Sequence, residues 1–386
     1  MMDHIYFDNS ATTALSDNVK AAMKDAMDRY GNPSSLHTKG LDAEKILAEA
    51  RKNIAEALGI RALKDSQLIF TSCGSEASNM AILGTVFAKA RKIANKIITT
   101  DSEHPSVEVP MRYLEEKGFN VVRIPTKNGV LDMEMLRREA EGVLLCSMMM
   151  VNNETGALYE VEDAFKAVKE KSPEAVTHCD AVQGFLKRRF SASSLGADLI
   201  TLSAHKIHGP KGIGALYIAP DIIKKKKISP IILGGGQEYG LRSGTENTIG
   251  IAGFGTAAKE GFANLESFVS SMAAIRNHII ENLPDEIKLN NPQGKCAPHI
   301  VNITLPKIKS ETMLHFLSAK GIFVSSGSAC SSHSASPSRS LIAFGLSPKE
   351  ADCSIRISIC ENNTKEEADA LCIALSDGLK SLVRIR

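Results

Sequence analysis

The sequence predicts an α/β fold with a mostly parallel, doubly wound sheet and a site where its strands end. Apolar runs at 143–151 and 198–202 are too continuous for half-exposed strands, which indicates a sheet covered on both faces. Stretches with helical spacing separate such runs, and polar residues gather after them. Beyond about residue 260, helical runs lead to a strand of alternating character at 299–305, which predicts a smaller α/β domain.

Length and charge narrow the possibilities further. A chain of 386 residues can bury a large core, and we expect a large domain at 14–260 and a small domain made of 1–13 and 261–386. A net charge of +2 argues against nucleic acid or a membrane as a direct partner. With no signal-like segment and no membrane-length apolar run, we expect a cytoplasmic protein. Eight cysteines without metal-type spacing are expected to be mostly free thiols.

Lys206 lies in a loop between two apolar runs. A lysine that loses its ammonium hydration becomes a nucleophilic amine that can form a Schiff base with an aldehyde. Taken alone, a loop lysine is more often solvated. Asp180, however, ends another apolar strand, as expected for the carboxylate that keeps a pyridine nitrogen protonated. Together the two residues indicate a pyridoxal phosphate enzyme.

A phosphate site is predicted after the strand at 68–71. That strand breaks at a turn of small residues, including Gly74 and Ser75, into a helical run. Free backbone N–H groups and the helix dipole favour an anion at such a helix start. The Ser75 hydroxyl adds a further donor.

Three motifs carry a resemblance to a known family. They are Ser-x-His-Lys at 203–206, Gly-Pro-Lys-Gly at 209–212, and His-x-Asp-Ala-x-Gln at 178–183. This pattern resembles the cysteine desulfurases of the NifS/IscS type, which are aminotransferase-like pyridoxal phosphate enzymes of fold type I. The likeness runs from the first strand to beyond residue 360. It implies conversion of L-cysteine to L-alanine, with sulfur passed to acceptor proteins of iron-sulfur cluster assembly or tRNA thiolation.

The resemblance also implies roles for individual residues around the cofactor. His104 stacks on the pyridine ring and exchanges a proton with the substrate thiol, a task that suits imidazole. Asn153 and Gln183 lie near the phenolic oxygen. The remaining cofactor-binding residues implied are Gly74, Ser75, Asp180, Ser203, His205 and Lys206.

Two segments are implied to complete the site. The glycine-rich stretch at 234–245 reaches across a dimer interface in the family, so Thr245 would bind the neighbouring chain's cofactor and the protein would be a homodimer. Asn32 and Arg356 would hold the substrate carboxylate, and a bidentate guanidinium grip suits that task. Asn32 is equally compatible with a turn before proline. The family usually has Leu-Gly where this chain has Ile359-Cys360.

Cys330 differs from the other cysteines in its surroundings. Small polar residues crowd the stretch 325–338 on both sides of it, which favours a solvent-reachable loop over a core. The resemblance implies that Cys330 receives the sulfur as a persulfide.

Other functions remain open on the residues alone. An aminotransferase or a selenocysteine lyase shares the fold, but an aminotransferase has no need of a cysteine in a serine-rich loop. A catalytically silent scaffold for sulfur transfer is disfavoured by the joint presence of Lys206, Asp180, His104 and Cys330. A nucleotide-binding switch is weaker still because no GxxxxGK[ST] loop is present.

Overall fold

A computed structural model describes residues 4–64, 67–88, 94–326 and 337–384 of the chain. Its helices are α1 (Asp17–Asp28), α2 (Thr38–Ala57), α3 (Gly74–Phe87), α4 (Pro105–Glu116), α5 (Met133–Glu139), α6 (Val161–Lys171), α7 (Ala192–Leu195), α8 (Pro220–Lys224), α9 (Thr248–Ala263), α10 (Leu265–Glu281), α11 (Ser310–Ala319), α12 (Arg339–Phe344), α13 (Pro348–Asp352) and α14 (Lys365–Ser381). Its strands are β1 (Ile5–Tyr6), β2 (Leu68–Thr71), β3 (Lys96–Thr100), β4 (Asn120–Ile124), β5 (Val143–Met149), β6 (Val176–Asp180), β7 (Leu199–Ser203), β8 (Gly214–Ile218), β9 (Lys288–Leu289), β10 (Ile300–Thr304), β11 (Ile322–Phe323), β12 (Ser325–Ser326) and β13 (Ser354–Ser358).

The largest sheet has the predicted doubly covered form. Among the described residues its order is β2-β8-β7-β6-β5-β3-β4, and every neighbouring pair is parallel except the two that involve β8. Successive residues of one strand, such as Leu145 and Cys146, are fully buried in different apolar clusters. Both faces are therefore covered, which confirms the predicted α/β class and the central position of the run at 143–151.

A second sheet forms in the carboxyl-terminal part of the chain. Its order among the described residues is β12-β13-β10-β9, with antiparallel neighbours, while β1 pairs in parallel with β11. Phe7 lies in the apolar cluster formed otherwise by residues between 272 and 379. This packing of the first strand on the carboxyl-terminal part supports the predicted domain division, which remains a prediction.

The alternating pattern of β10 does not give an exposed face. Every residue of this strand is buried. Asn290 provides hydrogen bonds to the polar side chains of β10. Its Nδ2 donates to Asn302 Oδ1 and to Thr304 Oγ1, each at 2.8 Å. Hydrogen-bonded polar groups can be buried at little cost, so polarity along a strand did not predict exposure.

Across the described residues, no helix is both long and apolar enough to span a membrane.

A buried ion pair attaches the glycine-rich segment to the edge of the large sheet. Arg51 on α2 donates from Nη2 to Glu238 Oε1 at 2.6 Å, and their side chains are 5% and 1% exposed. Glu238 Oε2 also accepts from the backbone N–H of Phe70 in β2, at 2.8 Å. Burial raises the pKa of Glu238 even with this partner, so the carboxylate depends on Arg51.

Replacing Arg51 by methionine should lower the free energy of unfolding by about 3–5 kcal/mol, because it leaves a buried carboxylate without its cation. Urea unfolding at fixed protein concentration measures the change. The control is Lys45→Met, which removes an exposed, solvent-screened ion pair with Asp42 and should change stability far less. Equal losses in the two variants would contradict the importance of the buried pair.

Candidate active site

The carboxyl ends of β5, β6 and β7 meet the start of α3 around one cavity of about 740 Å³. Parallel strands deliver their final residues to the same edge of a sheet, which is why residues distant in sequence meet there. Ten of the predicted site residues line the cavity: Gly74, Ser75, His104, Asn153, Asp180, Gln183, Ser203, His205, Lys206 and Arg356.

Lys206 follows β7 and points its amine at the amino-terminal segment. Nζ donates to the carbonyl oxygens of Ser10 at 2.5 Å and Ala11 at 2.8 Å. Gln183 Nε2 donates to the same Ser10 oxygen at 2.9 Å, so this residue supports the lysine contact. Its Oε1 lies 3.2 Å from His299 Nε2. These backbone oxygens position the lysine amine.

Asp180 ends β6 at the bottom of the cavity. Its Oδ1 accepts from the backbone N–H of Val182 at 3.0 Å. Burial raises the pKa of Asp180 to about 6, although that hydrogen bond and the charge of Lys206 lower it. The carboxylate is therefore mostly ionised at neutral pH, and it is the kind of group that stabilises a buried pyridinium.

Gly74 and Ser75 open α3 at another wall of the cavity. The free N–H groups and positive dipole of this helix start suit a phosphate. A Cβ at position 74 would lie only 3.1 Å from Val182 Cγ2 and 3.3 Å from Ser203 Cβ, so glycine keeps this wall open. His205 Nδ1 lies 3.2 Å from Thr12 Oγ1, and burial lowers the pKa of His205 to about 4.

His104 caps α4 with its own side chain. Nδ1 accepts from the backbone N–H of Ser106 at 3.1 Å, so the neutral ring carries its hydrogen on Nε2. Burial, followed by the charges of Lys206 and Arg356, lowers the pKa of His104 to about 4. The ring is therefore neutral at physiological pH and available as a donor through Nε2. Its predicted proton exchange with a thiol remains a prediction.

Arg356 extends from β13 into the cavity. Nη2 donates to Asp8 Oδ1 at 2.8 Å and Nη1 donates to the backbone oxygen of Asn153 at 2.9 Å. The side chain is 7% exposed, and Nε has no partner within the described structure. These contacts fix the plane of the guanidinium, as recognition of a carboxylate requires.

Two buried carboxyl groups of the site were missed by the sequence analysis. Glu103 Oε1 accepts from Thr100 Oγ1 at 2.7 Å and from Met149 N–H at 2.9 Å, and burial raises the pKa of Glu103 to about 8. Glu154 Oε2 accepts from Ser338 Oγ at 2.7 Å, and burial raises its pKa to about 7. Glu103 lies three residues after the end of β3 and Glu154 five residues after the end of β5, and this position after a strand was the available signal.

Three predicted residues are not among those lining the cavity. Asn32 and Thr245 are exposed, and Asn32 Oδ1 accepts from the Ser34 N–H at 3.0 Å, as in a turn. Cys330 lies outside the described residues. The nearest described residues on its two sides, Ser326 and Pro337, both line the cavity.

Unpartnered polar atoms in the cavity walls show that the site fits pyridoxal phosphate. Within the described residues, Asn153 Oδ1, Arg356 Nε, Glu103 Oε2 and Ser10 Oγ are buried without a hydrogen-bond partner, and all four residues line the cavity. Such groups are costly to bury unless a ligand satisfies them. With a carboxylate for the ring nitrogen, a lysine for the aldehyde and a helix start for the phosphate, the residues present fit this cofactor.

Comparisons with known proteins agree with this site. The sequence profile of the aminotransferase class-V family matches residues 5–371. A cysteine desulfurase from Nostoc sp. is 38% identical over 374 residues, which cover 95% of this chain and 91% of the relative.

Solved structures give the same result. A NifS-like protein is 36% identical, with a TM-score of 0.90 over 98% of this chain and 100% of the other. The structure of SspA in complex with cysteine is 32% identical, with a TM-score of 0.80 over 93% of this chain and 100% of the other.

The chain therefore belongs to the aminotransferase class-V family. Within it, the chain is a member of the cysteine desulfurases, as the predicted resemblance implied. Enzymes of this group are generally dependent on pyridoxal phosphate.

Glu103→Gln should change how stability depends on pH. Burial raises the pKa of Glu103 from 4.5 to about 8, so the folded protein holds a proton that the unfolded chain loses. The stability from this group is complete below the unfolded pKa and is lost as pH rises through the folded pKa. Glutamine resembles the protonated form, so the variant should gain stability relative to the parent as pH rises from about 4.5 to about 8, by a few kcal/mol in total.

Urea unfolding across this pH range measures the difference. Glu311→Gln, at a side chain that is 83% exposed, is the matched control and should follow the parent at every pH. Parallel pH curves for Glu103→Gln and the parent would contradict the raised pKa.

Proposed function

We propose that the protein uses pyridoxal phosphate to convert L-cysteine to L-alanine and retains the sulfur on Cys330 as a persulfide. The observation that carries this proposal is one cavity lined by Lys206, Asp180 and Arg356 and bordered by the described residues on both sides of the Cys330 segment. The sulfur would then pass to an acceptor protein of iron-sulfur cluster assembly or tRNA thiolation. The expected cytoplasmic location remains part of the proposal.

Different residues of the cavity match different parts of the cofactor. When bound, pyridoxal phosphate supplies an aldehyde that joins amines and a ring that withdraws electrons from the substrate α-carbon. Lys206 would hold the aldehyde and Asp180 the ring nitrogen, while the start of α3, with Ser203 and His205, would hold the phosphate. Asn153 Oδ1 is buried without a hydrogen-bond partner among the described residues, which supports the predicted contact of Asn153 with the cofactor.

Arg356 would bind the substrate carboxylate. Its Nε is buried without a partner, while Asp8 and the Asn153 backbone orient the other two nitrogens. A carboxylate bound there places the amino group and side chain of cysteine on the rest of the cavity. The binding energy of a part that does not react is thus used to orient the part that does.

Lys206 and His104 would handle protons. Once its amine is free, Lys206 Nζ can take the proton from the substrate α-carbon, since the cavity walls already hold this amine by neutral carbonyl groups. His104 presents Nε2–H to the cavity and, with a pKa of about 4, is a weak base there. We propose that His104 donates a hydrogen bond to the substrate sulfur. It would take up the thiol proton only when the positive charge near it, from Lys206 and Arg356, is reduced.

Cys330 would attack the sulfur of cysteine as a thiolate. The substrate C–S bond breaks, an S–S bond forms at Cys330, and the carbon side accepts protons to give alanine, so cysteine and one protein thiol yield alanine and a persulfide. A free thiol has a pKa of about 8.5, so only a few per cent is ionised at neutral pH. Transfer of its proton within the cavity is therefore part of the proposed step.

The proposed homodimer accounts for the two predicted residues that are absent from the cavity wall. Asn32 lies between Tyr30 and Leu36, which are 77% and 94% exposed, and Leu233, 80% exposed, lies twelve residues before Thr245, next to the start of the glycine-rich stretch at 234–245. Large exposed apolar side chains mark contact surfaces. A partner chain covering these segments would bring Thr245 to the neighbouring cofactor.

Cys330→Ala should still bind cofactor and respond spectrally to L-cysteine, yet form neither persulfide nor catalytic alanine, because the sulfur has no acceptor. Mass spectrometry of the protein and an alanine assay measure both products. Cys296→Ser, at a partly exposed cysteine, is the matched control and should retain activity. Sustained alanine formation by Cys330→Ala would refute the assignment.

Arg356→Lys should raise KM for L-cysteine by roughly 10- to 100-fold, because an ammonium cannot reproduce a planar two-nitrogen grip on a carboxylate. Steady-state kinetics measure this, with kcat falling less than KM rises. Arg339→Lys, on the same cavity but half exposed and paired with Glu108, should change KM by only a few-fold. An unchanged KM in Arg356→Lys would place the substrate carboxylate elsewhere.

A further inference from the structure

A second cavity, of about 330 Å³, shares Lys206 with the first and contains a cluster that the proposed reaction does not use. His208, Cys360 and Glu361 each offer one ligand atom to this cluster, and these atoms lie within 4.8 Å of one another. All three residues are partly buried. His208 belongs to the loop after β7, whereas Cys360 and Glu361 follow β13.

Hydrogen bonds fix which nitrogen of His208 faces the cluster. Nδ1 lies 2.8 Å from the carbonyl oxygen of Ala14, which can only accept, so Nδ1 carries a hydrogen. The other nitrogen, Nε2, lies 3.1 Å from Glu361 Oε1. In the neutral ring both of these atoms have lone pairs, and a cation between them is needed to make the contact favourable.

A proton or a metal ion can be that cation. A proton on Nε2 gives an ordinary ion pair, which accounts for His208 and Glu361 but gives the Cys360 sulfur no part in the cluster. Nitrogen, thiolate and carboxylate together are ligands that Zn²⁺ accepts at about 2.0–2.3 Å. Ligand atoms around a tetrahedral zinc lie roughly 3.3–3.8 Å apart, so side-chain movements of about 1 Å would complete the site. A backbone carbonyl behind a histidine ligand is also typical of metal sites.

We propose that His208, Cys360 and Glu361 bind a zinc-class divalent cation, with one coordination position left for water from the cavity. Coordination would displace the thiol proton of Cys360, as it does in other thiolate sites, even though burial raises the pKa of this thiol to about 11. The bound ion would connect the loop that carries Lys206 to the segment that follows Arg356.

Lys187 lines the same cavity and is the main electrostatic obstacle. Its Nζ is buried without a hydrogen-bond partner within the described structure, and the whole residue is 7% exposed. Burial lowers the pKa of Lys187 to about 7, so much of the population is neutral at physiological pH. A neutral amine opposes a cation little and can accept a hydrogen bond from metal-bound water.

The test uses cofactor-loaded protein carrying Cys330→Ala, so that the proposed catalytic thiol supplies no ligand. After chelator treatment, Zn²⁺ alone is titrated against a chromophoric chelator, and the bound ion is examined by X-ray absorption spectroscopy. We expect one equivalent of zinc with a single sulfur neighbour at about 2.3 Å.

Cys360→Ser in this background should remove the sulfur neighbour and weaken zinc binding at least about tenfold, and Glu361→Gln should weaken binding while keeping the sulfur. Cys296→Ser is the matched control and should change neither. Thermal unfolding without metal shows whether Cys360→Ser folds; if it does not, the spectrum of the parent and the affinity of Glu361→Gln decide. Failure to bind zinc in competition, or a sulfur neighbour that persists in Cys360→Ser, would overturn the proposal.

Discussion

The hydrogen bonds from Lys206 to the carbonyl oxygens of Ser10 and Ala11 hold the site together. They join the loop after β7 to an amino-terminal segment whose first strand pairs with β11. Asn9 N–H also donates to the Ser358 carbonyl at the end of β13. The segment around residue 10 therefore lies between the two sheets, and the position of the lysine amine depends on both.

The site concentrates groups whose charge is costly to bury. Desolvation raises the pKa of Asp180, Glu103 and Glu154, and it lowers the pKa of His104. Glu103 and His104 are therefore mostly neutral at physiological pH, whereas Asp180 stays mostly ionised near Lys206 and Arg356 retains Asp8 beside it. A charged ligand bound in this cavity would stabilise these buried groups electrostatically, in place of the water that burial has removed from them.

Much of this arrangement could be predicted because it is local in sequence. The lysine loop, the acid at the end of β6 and the helix start at Gly74 each follow a short apolar strand, and the topology brings strand ends together. Contacts that depend on distant partners could not be predicted. The inward turn of Glu103 depends on the Met149 N–H, and the burial of Asn302 depends on Asn290. Likewise, nothing near Lys187 in the sequence indicates that its amine is buried.

The single reversal in the large sheet, where β8 runs against its neighbours among the described strands, has a consequence for motion. Because β7 and β8 are adjacent and antiparallel, with Ser203 opposite Gly214, the segment carrying Lys206 is a closed hairpin loop tethered at both ends to paired backbone. Asp180, by contrast, lies within β6 itself. Pairing at both ends of the loop restricts the Lys206 backbone, so the reach required of its amine must come from the rotation of its four methylene groups.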